Sequence, residues 1–186
     1  MGKWAKILLA IVVLVVAVFA YMQTDHYKMS MMDTHAKEGE EAYIDACASF
    51  DYARGCTLDM DLDSAYHAIS KANENLNKSM ESWQTAYGYA KGPYKEFIGM
   101  QIDILKDFEK AIDYLFDGIV ELMFGEEDKG SVYIEEARKY VNSIREKVQK
   151  QNEFLKSHPE VKKHIIEKWG IEESDLTRPA RAPLPF

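Results

Sequence analysis

The chain is short of the residues that usually announce chemistry. It carries two cysteines, five prolines and ten glycines in 186 residues. The cysteines form no C-x-x-C or C-x-x-C-H pattern, which leaves thioredoxin-like chemistry and covalent haem attachment without support. No Glu-x-x-His pair occurs, although a di-iron bundle needs one on each of two facing helices. A nucleophile elbow, a glycine-rich phosphate loop and a zincin motif are all missing. No segment sustains the apolar-polar alternation of a half-buried strand. Positive charge is also scarce. With 23 basic and 31 acidic side chains the net charge is -8, and a general nucleic-acid binder needs the opposite footprint.

What is present begins with a long hydrophobic run. Ile7 to Met22 are apolar without exception. Lys3 and Lys6 precede the run, and Thr24, Asp25 and His26 follow it. Basic residues before and polar residues after predict a single transmembrane helix with its N-terminus in the cytoplasm. At 1.5 Å per residue the run spans roughly 24 Å, and Trp4 and Tyr21 extend it as interfacial aromatics. The competing reading is a cleaved signal peptide and a secreted product, since Val18-Phe19-Ala20 offers small residues where a signal peptidase cuts. Both readings place the chain from about Asp25 onward outside the cytoplasm.

Four stretches with a three-four apolar repeat follow. Their seams run from Met29 to Phe50, Ala65 to Ala90, Ile98 to Leu122 and Ile134 to Leu155. That spacing is the signature of helices packed at a shallow angle. Arg54-Gly55-Cys56 predicts the end of the first, with Gly55 as a left-handed cap. Asp59, Asp61 and Asp63 predict caps for the second. Gly92-Pro93, Gly125 and His158-Pro159 separate the rest. Glu160 to Trp169 reads as a short fifth helix closed by Gly170, and Thr177 to Phe186 as an extended proline-rich tail. The predicted class is therefore all-α: a transmembrane helix in 1–24, an antiparallel up-down four-helix bundle in 25–157, and a short helix plus tail in 158–186. If the anchor runs into the first bundle helix, the Gly92-Pro93 turn and the fifth helix lie near the membrane.

Charge divides the chain unevenly. Asp25 to Asp128 holds 9 basic and 22 acidic residues, and Arg138 to Lys168 holds 9 basic and 4 acidic. One reading is internal, a basic fourth helix completing an acidic layer. The other assigns Lys162, Lys163 and Lys168 to anionic lipid headgroups or an acidic partner near the bilayer. In the tail, Arg178, Arg181 and Phe186 are candidate contacts for a partner's groove.

Three local features carry possible chemistry. Cys47 and Cys56, the only cysteines, favour a disulfide outside the cytoplasm; two thiols, or a metal or redox pair, are the alternatives. Met22, His26, Met29 and Asp33 would share one face of a continuous helix, and thioether with imidazole suits copper. Asp59-x-Asp61-x-Asp63 has the start of an EF-hand loop, but Ser64 and Ser70 stand where its Gly and bidentate Glu belong, so capping explains these residues as well. Asn77-Lys78-Ser79 is a glycosylation sequon on a predicted helix. The functional expectation is a non-catalytic accessory subunit of a membrane complex, without a cofactor and touching the lipid bilayer and other subunits. The alternative is a tethered extracytoplasmic binder of copper or a small ligand.

Overall fold

The computed structural model describes the backbone of residues 3–171 and the side chains of residues 11–171. It contains helices α1 (Lys3–Met22), α2 (Asp25–Leu58), α3 (Leu62–Tyr89), α4 (Gly92–Met123), α5 (Glu127–Ser157) and α6 (Pro159–His164), the last continuing as a π-helical turn, Ile165–Trp169. No strand occurs among the described residues. The fold is all-helical, as the periodicity predicts.

Each helix starts where local chemistry allows. The Thr24 hydroxyl accepts from the Tyr27 amide at 3.2 Å and so separates α2 from α1. Asp61 accepts from the Ser64 amide at 3.3 Å at the start of α3. Pro93 and Pro159 stand in the first turns of α4 and α6, where a missing amide hydrogen costs nothing.

The helices of the bundle run antiparallel. Lys91 meets Asp25 and Ser79 meets Gly39 between α2 and α3, while Gln151 meets Gln101 and Ser143 meets Asp107 between α4 and α5. Rising numbers on one helix pair with falling numbers on the next. The main packed pairs are α2 with α3, α3 with α4 and α4 with α5, and the turn after α6 packs on α2. Two crossings are close. A Cβ on Gly39 would lie 2.8 Å from the Trp83 ring, and one on Gly130 would lie 2.7 Å from Leu122.

The predicted seams form the core. Ala65, Ile69, Ala72, Leu76, Trp83 and Ala86 of α3 are buried, as are Ile98, Leu105, Phe108, Ile112, Leu115 and Ile119 of α4. Phe108 takes the edges of Tyr43 and Phe50 from α2, at centroid distances of 5.9 and 5.3 Å. Gln101 and Gln151, both buried, are bonded to each other at 3.1 Å across the α4–α5 seam. A buried polar pair of this kind penalises a slipped register, because slippage leaves both amides unsatisfied.

Two sequence expectations change. First, α2 does not stop at Gly55 but runs through to Leu58. Cys56 and Thr57 are buried in the packed part of the bundle, and Thr57 back-bonds to Ala53 O at 2.8 Å. The left-handed position falls instead on Met60, at φ 59°. Second, the disulfide is not formed, and Cys47 and Cys56 are both buried thiols. Nine residues along an unbroken helix put them about 13 Å apart and on opposite sides, well beyond the reach of a disulfide. Among the described residues no helix is long and apolar enough to cross a membrane; the first part of the apolar run, 7–10, lies outside the residues whose side chains are described.

Candidate functional site at the two ends of the bundle

The end nearest α1 is closed by the chain itself. Val161, Ile165 and Trp169 are spaced by four, which gives the segment after α5 one apolar face. That face is buried against the bundle, with Trp169 2% exposed. Its ring lies 5.5 Å from Trp83 of α3 and 5.8 Å from Phe97 of α4. Asp33 of α2 supplies the polar half of the contact. Its Oδ1 accepts from Trp169 Nε1 at 2.9 Å and from His164 Nε2 at 2.6 Å. The Tyr94 ring packs edge-on to His164 at 5.0 Å. Helices α2, α3 and α4 thus converge on one tryptophan, and the indole N–H that burial would otherwise strand has an acceptor.

This arrangement dismantles the copper set. Thr24 is extended, at φ -68° and ψ 146°, so Met22 does not continue the helical face of His26 and Met29. Asp33 is committed to His164 and Trp169. His26 and Met29 are exposed, and no group of three or more His, Cys, Asp or Glu that would hold a metal ion is gathered among the described residues. Met29 instead lines a groove of about 310 Å³ with Met32, Tyr89, Pro93 and Tyr94.

The proposed gripping element also changes character. Lys162 is half-buried, and Lys163 lies 3.8 Å from Glu167 on its own helix. Lys163 and Lys168 face solvent. Arg178, Arg181 and Phe186 lie outside the described residues. The basic α5 meets the acidic layer most closely through Lys147. Lys147 reaches Asp107 Oδ2 at 2.7 Å and Asp103 O at 2.9 Å, and Ser143 adds a bond to Asp107 at 2.6 Å. Partial burial works against the Asp107 charge, yet these donors outweigh it and hold the carboxyl below its ordinary value. Asp113 of α4 shows the opposite balance. Burial, with Glu109 and Asp117 adding negative charge nearby, raises its carboxyl.

The far end of the bundle is open. There the α2–α3 and α4–α5 turns share one geometry: Asp61 N bonds to Cys56 O and Glu126 N to Glu121 O, each at 2.9 Å. This is the six-to-one bond of a Schellman cap, which requires a left-handed residue just before its donor. Gly125 fills that position in one turn and Met60 in the other. Beside them Leu58, Met60 and Phe124 are 70%, 58% and 80% exposed. Leu58 and Met60 line a groove of about 360 Å³ with Arg54, Leu122, Glu127 and Ile134. Asp59, Asp61, Glu126, Glu127 and Asp128 stand in the two turns and the first turn of α5, all exposed. Glu126 makes no side-chain capping bond to α5, whereas Asp61 caps α3 as expected.

The sequence reading missed both ends for different reasons. The 161–165–169 spacing signalled an apolar face but not its target. The exposed turn apolars carried no periodic signal at all. Ser79 of the sequon is buried, with its hydroxyl on Gly39 O, while Asn77 faces solvent. No family model, no curated protein and no solved structure matches this chain.

Proposed function

We propose that the protein is a non-catalytic accessory subunit of a membrane protein complex. In this reading α1 anchors it with the N-terminus in the cytoplasm, and the bundle stands outside the membrane and holds partner subunits. The observation that carries the reading is the uncovered face of α1. Ile11 to Val16 are each 50–65% exposed, as are Val18 and Phe19, and among the described residues no other helix covers them. A buried Val, Leu, Ile or Phe side chain is worth about 1.5–3 kcal/mol, so a helix that presents this many calls for a lipid or protein environment. The Lys3 and Lys6 flank supports the orientation. Lys163 and Lys168, exposed near the α1 end, suit anionic headgroups, and Arg178, Arg181 and Phe186 remain candidate partner contacts.

Alkaline carbonate extraction of native membranes tests the anchor, with the expected outcome that the chain stays in the pellet. Gentle solubilisation tests the subunit role. A co-purifying partner is expected, and a monodisperse monomer with nothing attached would sink the proposal.

A further inference from the structure

The open end of the bundle combines three features that a merely solvated pair of turns has no reason to combine. The first is backbone strain at an apolar side chain. The two turns have the same cap geometry, yet only one uses glycine at the left-handed position. Met60 sits there at φ 59° with its side chain exposed. A left-handed non-glycine residue is disfavoured by contact of its Cβ with the backbone, and such outliers point to a role for the side chain. The second feature is continuity. Leu58 and Met60 from one turn and Met123 and Phe124 from the other are all exposed, and Leu58 and Met60 line a groove with Leu122 and Ile134 of the other helix pair, along with Arg54 and Glu127. The third is the sign of the rim. Five exposed carboxylates, Asp59, Asp61, Glu126, Glu127 and Asp128, stand in the two turns and the first turn of α5, and Glu127 lines the groove. Two cations stand beside them: Lys129 lies 3.9 Å from Glu121 and 3.5 Å from Glu126 and so is held within the chain, and Arg54 lines the groove, where the carboxylates outnumber it.

We infer that this tip is a docking surface for a partner protein's cationic amphipathic segment, whose apolar face enters the groove and whose Lys or Arg residues meet the rim. The inference rests on the reading of the protein as a partner-holding subunit. Charge complementarity selects this occupant. The tip of a second copy would bring like charges together, and an anionic lipid surface would be repelled in the same way.

The test uses the full chain in detergent and a defined probe, an 18-residue helical peptide of Leu and Lys with one apolar face. A Leu and Glu peptide of the same pattern is the control. Binding is followed by fluorescence anisotropy for the wild type, Phe124→Ser, Met60→Ser and Glu127→Gln/Asp128→Asn. The three variants change exposed side chains, and a thermal melt checks that each is folded. The expected result has three parts: saturable binding of the cationic peptide alone, at least tenfold weaker binding for Phe124→Ser and for Met60→Ser, and a shallower salt dependence for the double variant. Equal binding by wild type and Phe124→Ser, equal binding of both peptides, or no binding would overturn the inference. Self-association abolished by Phe124→Ser would also overturn it, in favour of a second copy. A co-purifying subunit retained undiminished by Phe124→Ser would overturn the tip assignment while leaving the subunit reading standing.

Discussion

The two ends of the bundle treat apolar surface in opposite ways. Near α1, Trp83 and Phe97 are covered by Trp169 from the same chain, and Asp33 satisfies the indole that covers them. At the other end Leu58, Met60 and Phe124 stand in solvent beside an acidic rim. The first end behaves as core, where the indole of Trp169 is matched inside the molecule. The second has the composition of an interface, with apolar groups at the centre and charge around it. The difference shows that the segment after α5 acts first on its own bundle.

The contrast is breakable by substitution. The largest effect is expected at the closed end. Trp169→Ala removes a fully packed aromatic and should cost about 3–5 kcal/mol of bundle stability, measured by urea unfolding. Asp33→Ala should cost about 1–3 kcal/mol by stranding the indole and imidazole donors. If both changes leave the midpoint unmoved, the closed end is not core. Gly39→Ala comes next. Its Cβ would meet the Trp83 ring at 2.8 Å, and overpacking of this kind costs about 1–3 kcal/mol.

Asp107→Asn probes the middle of the bundle. It should cost about 1.5–3 kcal/mol at neutral pH, the worth of hydrogen bonds to a charged group. The folded carboxyl lies below its ordinary value of 3.8. Its contribution is therefore complete above that value and is lost as pH falls through the lowered one. The gap between wild type and variant should accordingly close in strong acid, as read from unfolding curves across pH. The smallest effects belong to the open end. Met60→Gly should raise stability by up to about 1 kcal/mol by relieving the left-handed strain. Phe124→Ser should stay within about 0.5 kcal/mol of wild type. A large loss for either would make the tip core after all and erase the contrast.

Much of the fold was legible locally. The second seam, from Ala65 to Ala90, is buried at every predicted position, and the fourth is buried from Ala137 to Leu155. Helical periodicity reports burial because side chains three and four apart share a face. The site was less legible because its decisive contacts are non-local. Asp33 reads plausibly as a metal ligand until His164 and Trp169, more than 130 positions away, take its oxygen. Gly55 reads as a cap because glycine permits a left-handed turn, but permission is not requirement. Burial of Cys56 and Thr57 carries α2 onward and moves the turn to Met60.

By itself the sequence determined the helical class, the number and order of the long helices, the breaks at Gly92-Pro93 and Gly125, and the apolar run at the start. All of these follow from backbone preferences and from period, which act within a few residues. Only the tertiary structure decided that the cysteines stay apart, that Trp169 plugs one end, and that Leu58 and Met60 of one turn share a groove with Leu122 and Ile134 at the other. Those outcomes depend on which distant faces meet, a choice set by packing and by the cost of unsatisfied buried groups rather than by any local residue preference.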